Sequence, residues 1–499
     1  MVAHTSFLLL LLLLLLLLYR SRLTQTPQFI QDIDAIPRIF EPFTLIGLLA
    51  NYNKFEFQNP YQLRLNDFVN EGTIKKIIQT VGYTCQKLRA DFVEVQDDMP
   101  EGWTLATTLN MFGLGAMAPG GKPAPKAVFD VETAKKMFTR LFVFLDPDHV
   151  LLATVLTLIT LWRRPREDAS VLLAAYDFTH ANKLFCFNFV TLPVEKGEEQ
   201  PFASFISLTS YLLQHAHLSQ RTTLYSHLSL MTFRLLIEDP VLCKRMCSEE
   251  SKTAVRLCRQ RQPHLALVRA ERVLAAAVLD TMVDGINHNL RRRLDVGLYT
   301  LCVGILLRII SYMSRSRTRL QYNWAELFRS LLALVRFLTT YASDLKDLPQ
   351  IDVLLDHVVN LLALGLSTGE SFLPTPAAYD DLFYKVVESG EMLVKFRDTY
   401  GLSNRPSSSI ETLVNVSTHY KEMLASGTAG GKATVGRRTG TTLTSLQVAE
   451  VIKQGYETLS IQAKEGLDSW EKYREADERT LLKKMARAVV ADVRILVAE

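Results

Sequence analysis

The chain's 499 residues are 48% apolar and 22% charged, which excludes a disordered chain and leaves room for roughly two to four compact domains or one extended array. A formal net charge of +4 is too small to argue for a nucleic-acid binder without a concentrated patch. Six cysteines (Cys85, Cys186, Cys243, Cys247, Cys258 and Cys302) show neither paired spacing nor the density of a secreted module, so a reducing, cytosolic setting fits them.

The first element, residues 1–22, is a leucine-rich helix or a short anchor. Phe7 to Leu18 is almost pure leucine, with Arg20 and Arg22 behind it. The run is shorter than the ~20 residues a bilayer core needs. Only His4 precedes it where a signal peptide carries basic residues, and no small-residue cleavage site follows Leu18. A helix packed in a larger array is one reading. The other is an anchor, Leu8–Leu18, with its arginines on the cytosolic side.

A proline-marked linker spans 23–42, with Pro27, Pro37 and Pro42. Helical repeats are expected from 43 to 264. Apolar residues recur at three- and four-residue steps in Phe43–Tyr52, Asn70–Val93, Phe138–Leu145, Val150–Trp162, Val171–Phe178, Phe205–Leu218 and Thr222–Ile237. A Gly/Ala/Pro-rich loop falls near 111–126. Val150–Trp162 is apolar all round, which at that length predicts a buried helix rather than a span. Phe55–Leu65 and Phe185–Leu192 are weak strand candidates.

A second helical domain is expected over 265–400, with helices at Leu265–Leu290 and Val296–Met313, then a helical hairpin from Trp324 to Val387. In the hairpin Trp324, Leu327, Phe328, Leu331, Val335 and Leu338 form one stripe, and Leu354, Val358, Leu361, Leu362 and Gly365 a second. Such a hairpin cannot bury both faces alone and needs neighbours stacked on it. A further helix runs to about Thr399. Residues 401–443 read as flexible Gly/Ser/Thr-rich segments around a short tethered helix, and 444–499 as a C-terminal helical pair. Thr444 with Gln447 makes a capping box; Trp470 and Tyr473 continue the first helix, and Leu482, Met485, Val489, Val493 and Leu496 line the second. All-α, an armadillo/HEAT-like superhelical array of stacked helix pairs, is the expected fold class.

The motifs that carry chemistry are incomplete. Ser426–Ala433 imitates a phosphate-binding loop but has serine in place of the first glycine and Ala433 after Lys432, where the magnesium-binding hydroxyl belongs. His215 and His217, two apart, face different sides of a helix and cannot share a metal. Cys243, Cys247 and Cys258, with His264 beyond, lack a specific ligand spacing and read as buried thiols. The acidic pairs Glu238-Asp239 and Asp380-Asp381, and Asp146-Pro147-Asp148, read as helix N-terminal charges. No catalytic, cofactor or metal residue is assigned, and neither a small-molecule substrate nor nucleic acid is expected.

Arginine clusters at Arg163–Arg166, Arg256–Arg261, Arg291–Arg293 and Arg315–Arg319 read as solvated loops and helix ends, or as one edge meeting anionic lipid at about 1 kcal/mol per charge. The protein-contact surface is expected on the polar stretch from Glu238 through Asp239, Lys244, Arg245, Arg256 and Arg259 to Arg261, between two apolar helices.

Several local motifs resemble the armadillo-like helical domain-containing proteins of the Golgi, grouped in fungi as an uncharacterised membrane-protein family. Arg319-Leu320-Gln321-Tyr322-Asn323-Trp324-Ala325-Glu326-Leu327 resembles the family's R-L-x-Y-x-W-x-E-L. Phe372-Leu373-Pro374-Thr375-Pro376-Ala377-Ala378-Tyr379-Asp380-Asp381-Leu382 resembles F-L-P-T-P-x-x-Y-D-x-L. Tyr456-Glu457-Thr458-Leu459, then Gly466-Leu467-Asp468 and Tyr473, is similar to the family tail. The likeness covers the chain from about Leu265, and upstream rests on Asn51-Tyr52-x-Lys54-Phe55-Glu56. Family members carry more helical repeats before that motif, so a truncated or differently spliced N-terminus is expected here. The resemblance implies a scaffold rather than an enzyme, with a phosphatidylinositol 4-kinase and other Golgi regulators as partners at the cytosolic face. The signature residues Tyr322, Trp324, Phe372, Pro374, Pro376, Tyr379, Tyr456 and Leu467 are then structural, with Tyr379 beneath a corner fixed by the two prolines. The alternative is an integral membrane protein anchored by the leucine run.

Overall fold

The computed structural model describes residues 39–56, 59–94, 165–194, 197–258, 270–290, 295–405, 409–427, 467 and 470–498. The leucine run, the loop near 111–126, the helices at Phe138–Leu145 and Val150–Trp162, the Thr444 capping box, Tyr456, Arg259, Arg261 and His264 lie outside the described residues. So do Arg291–Arg293 and most of the phosphate-loop look-alike.

Among the described residues there are 17 α-helices and no strand, only an isolated bridge between Thr253 and Arg272. The helices are α1 Phe40–Asn51, α2 Pro60–Asn66, α3 Glu71–Glu94, α4 Val171–Ala181, α5 Lys183–Thr191, α6 Pro201–His215, α7 Gln220–Glu238, α8 Pro240–Cys247 and α9 Leu274–Asn289. They continue with α10 Val296–Ser316, α11 Trp324–Thr340, α12 Ala342–Leu345, α13 Ile351–Phe372, α14 Pro376–Glu388, α15 Gly390–Tyr400, α16 Ile410–Gly427 and α17 Arg479–Ala498.

Polar side chains start and stop these helices. Asn59 accepts from the Tyr61 amide at 2.8 Å, and its own amide donates to the carbonyls of Leu49, Ala50 and Tyr52. One side chain therefore closes α1 and opens α2, satisfying orphan groups at both ends. Asn70, Asn182, Ser219, Asp239, Asp295, Asn323 and Thr375 cap α3, α5, α7, α8, α10, α11 and α14 in the same manner. Asp239 thus does what its acidic pair predicted. Asp381 does not: it lies inside α14, ion-paired with Lys385, and the hydroxyl of Thr375 does the capping.

The helices stack in two rows. Helices α1, α4, α7, α10, α13 and α16 follow one another in the first row; α3, α6, α9 and α11, closed by α14 and α15, form the second. Buried side chains from Ile39 to Val489 join in one apolar cluster between and along the rows, each buried leucine contributing about 1.5–3 kcal/mol. Where the spacing allows, backbones approach closely: Gly47 of α1 faces Ala174 of α4, and a Cβ on it would lie 2.7 Å from the alanine's own.

Four expectations are corrected by this packing. Phe185–Leu192 is helix α5, because Phe185 and Phe189 sit in a ladder of rings running from Phe178 to Phe202, Phe205 and Phe233, and burial outweighs strand propensity. Within Phe55–Leu65, Phe55 and Glu56 lie in a turn and Pro60–Leu65 belong to α2. The hairpin of α11 and α13 is not a tight pair: α13 packs most extensively on α10, while α11 lies against α15 and α9. Finally, α16 is no tethered outlier, since Ile410, Leu413, Val416 and Tyr420 are buried against α13, α14 and α15.

Helices α10 and α13 are the two described helices long and apolar enough to cross a membrane. Both lie in the middle of the first row, with Arg308 of α10 buried among its neighbours.

Candidate functional site

The chain leaves α17 joined to the first row through an extended stretch, Trp470–Arg474, which sequence spacing had assigned to a helix. The reason is what the stretch lies upon. Trp470 sits between the guanidinium groups of Arg308 and Arg315, 5.3 and 5.1 Å from the ring centre. The Glu471 carbonyl accepts from Arg234 and Arg308 at 3.4 and 3.5 Å, and the Tyr473 amide donates to Glu238 at 3.1 Å. With the Glu471 carbonyl and the Tyr473 amide met by side chains, these two groups have no need of helical hydrogen bonds.

Two residues on, the contacts are buried. The hydroxyls of Tyr473 and Tyr176 share a 2.5 Å hydrogen bond, and Tyr176 donates to Glu475 at 3.0 Å. Glu475 lies 2.5 Å from the ammonium of Lys54, which is also 2.6 Å from Asp177. Both Lys54 and Asp177 side chains are almost wholly withdrawn from solvent. Burial alone pulls the Lys54 ammonium down, but the two carboxylates outweigh it and hold it above its ordinary value. Burial pushes the Asp177 carboxyl up to about 6 against the pull of Lys54. Burial, then the charge of Arg234, lowers Arg308 to about 10, opposed by Glu238.

The segment therefore crosses three helices of one row in turn, α10 at Trp470, α7 at Glu471 and Tyr473, and α4 at Tyr473 and Glu475, and ends at Lys54 in the turn after α1. The arrangement can hold an extended chain by its backbone and its side chains together. Among the described residues, no group of three His, Cys, Asp or Glu side chains is placed to hold a metal ion.

Of the stretch expected to meet partners, Glu238 belongs to this face, accepting also from Arg234 and Arg308. The remainder lies elsewhere. Asp239 caps α8. Lys244 is exposed on it, and Arg245 pairs with Glu250 and lies 5.9 Å from the Phe187 ring centre. Arg256 donates to the Tyr211 hydroxyl at 3.2 Å, and its carbonyl accepts from Ser207. Cys243 and Cys258 are buried with the other thiols, Cys247 partly so. The described arginines of the clusters stay exposed at loops and helix ends: Arg166 grips Asp91 with two nitrogens, Arg319 reaches the Glu370 carbonyl, and Arg317 ends α10 in the left-handed region.

Tyr322, Trp324, Phe372, Pro374, Pro376 and Tyr379, of the resemblance-derived residues, gather where α11, α13 and α14 meet. Trp324 donates to the Leu320 carbonyl at 3.1 Å and packs edge-on against Tyr322 and Phe372. Pro376 opens α14 behind Thr375, with Pro374 half-buried just before it. The Tyr379 hydroxyl donates to the Leu366 carbonyl at 2.5 Å. Leu467 is buried.

Lys54, Tyr176, Asp177, Arg234, Arg308 and Glu475 were not singled out as site residues from the sequence. Asp177 and Arg308 did carry a signal, each a lone charge inside an apolar run. Such charges are almost never buried without a partner.

Residues 272–495 match the family model described as armadillo-like helical domain-containing protein 3, C-terminal. That part of the chain is similar to this family's C-terminal domain. Its match reaches through the Trp470–Glu475 segment into α17, elements that dock on α1, α4 and α7 upstream of the matched region. Armadillo-like helical domain-containing protein 3 of Danio rerio is 25% identical over 91% of this chain and 67% of its own length; that of Homo sapiens is 24% identical over 91% and 67%. A UPF0588 membrane protein of Schizosaccharomyces pombe is 26% identical over 70% of this chain and 52% of its own. The chain thus spans about two thirds of the vertebrate relatives and half of the fission-yeast one. No solved structure matches it.

Proposed function

We propose that the chain is a non-enzymatic helical scaffold at the cytosolic face of the Golgi, recruiting or supporting a phosphatidylinositol 4-kinase and secretory traffic. The observation that carries the scaffold reading is the grip on Trp470–Glu475, in which side chains from consecutive helices of one row hold an extended segment. Stacked-helix arrays offer such surfaces to partner segments. The Golgi and kinase assignments rest on the family resemblance.

Capture of the tagged full chain from cells, followed by mass spectrometry, tests the reading. A phosphatidylinositol 4-kinase is expected in the capture, and a preparation without any lipid kinase overturns the assignment. Among the residues expected to make contact, Lys244 and Arg245 are the ones to reverse. Deleting the whole stretch would remove Leu242, Cys243, Met246 and Cys258 from the core and unfold the array. K244E/R245E should weaken kinase capture with the melting temperature unchanged; undiminished capture removes α8 from the interface.

A second reading, membrane attachment through Leu8–Leu18, is favoured by the name of the fission-yeast relative. Alkaline carbonate extraction separates the two, since release into the soluble fraction excludes an inserted helix.

A further inference from the structure

We propose that Trp470–Glu475 is an intramolecular ligand, and that the face it covers on α4, α7 and α10 is a recognition site for extended peptide segments. The ligand class follows from the contacts. An aromatic side chain fits between Arg308 and Arg315, and a second, three positions on, fits beneath Arg234, whose guanidinium lies 5.1 Å from the Tyr473 ring centre. A carboxylate two further on meets Lys54 and Tyr176. Between them the backbone is read in both senses, its carbonyl by Arg234 and Arg308 and its amide by Glu238.

A clamp that only tied α17 to the array would need none of this backbone reading. Helix α17 has its own anchors: Leu482, Met485 and Val489 are buried, and Asp492 accepts from Tyr225. The segment is solvated along one side, with Trp470 and Tyr473 half-buried and Glu471 and Lys472 exposed; lifting it uncovers Tyr176 and Lys54, which a competing segment must cover again. A partner bearing an aromatic-x-x-aromatic-x-acidic stretch would displace it, and its apparent affinity is reduced by the fraction of chains whose face is covered. The inference rests on the scaffold reading but names no kinase, so a peptide assay and kinase capture fail independently.

The test uses the full chain and a fluorescent peptide of residues 467–478. W470A/Y473A, which frees the face, should bind the peptide at least about tenfold more tightly than the wild type. Adding R308A should abolish that gain, as should alanine at the peptide's own aromatic positions. Y473F/E475Q, which keeps every apolar contact, is the second opened variant and should bind at an intermediate level if W470A/Y473A does not fold. Opened variants that melt cooperatively yet bind the peptide no better than the wild type overturn the proposal and leave the segment a structural clamp.

Discussion

Lys54 Nζ lies 2.6 Å from Asp177 Oδ1 although 123 residues separate the two, and both side chains are withdrawn from water. A helix end on one side and an otherwise apolar helix on the other meet through this pair, and Glu475 closes it from the C-terminal segment. Removing one partner of a buried pair strands the other charge. K54M should therefore lower stability by roughly 3–5 kcal/mol, read as a fall in the urea midpoint. K54M/D177L should recover part of the loss, because the Asp177 charge is no longer stranded while Glu475 and Asn51 still lack their partners. A double variant as unstable as the single would show that the pair is not the source.

His357 of α13 makes stability depend on pH. Its Nδ1 is shut off from solvent. Burial, then the charge of Arg308, lowers the imidazole from its ordinary 6.5 to about 4, against a hydrogen bond to the Thr300 backbone. The unfolded chain binds this proton more tightly than the folded one, so the contribution is full above pH 6.5 and is lost as pH falls toward 4, at up to about 1.4 kcal/mol per unit. H357Q should flatten that slope. Urea midpoints of both proteins at pH 7, 5.5 and 4.5 check it, and parallel slopes would place the titration elsewhere.

Gly369 of α13 lies under the Tyr379 ring, where an added Cβ would come within 2.6 Å of a ring carbon. The ring is held by the 2.5 Å bond from its hydroxyl to Leu366, so it cannot swing away freely. G369A should cost about 1–3 kcal/mol by overpacking, and Y379F about 1 kcal/mol through the lost hydrogen bond. Thermal melts measure both. A neutral G369A would mean that the ring shifts without penalty.

Asp492 is the one polar residue buried on α17; it accepts from Tyr225 at 2.5 Å and lies 3.0 Å from Arg221. D492L fits an apolar face but leaves the Tyr225 hydroxyl unsatisfied, a loss of about 1–3 kcal/mol. Amide exchange in 479–498 should accelerate by about tenfold or more while α10 and α13 keep their protection. Equal acceleration in all three would point to global rather than local opening.

The sequence by itself determined where most of the described helices lie and which way they face. Three-to-four-residue spacing is a property of one helix read against water, so α3, α7, α10, α11 and the final amphipathic helix appear within a few residues of their positions. The corner at Pro374 and Pro376 was also legible, since the chemistry of proline and of a capping hydroxyl is local. What only the tertiary structure decided is which helices are neighbours and where lone charges go. Spacing cannot say that α13 pairs with α10 rather than α11, nor that Phe185–Leu192 is better buried as helix than paired as strand. Nor can it say that Trp470 and Tyr473 leave the helical pattern. The Tyr473 amide is met by Glu238 and the Glu471 carbonyl by Arg234 and Arg308, residues more than 150 positions away in sequence, and only folding brings such partners together.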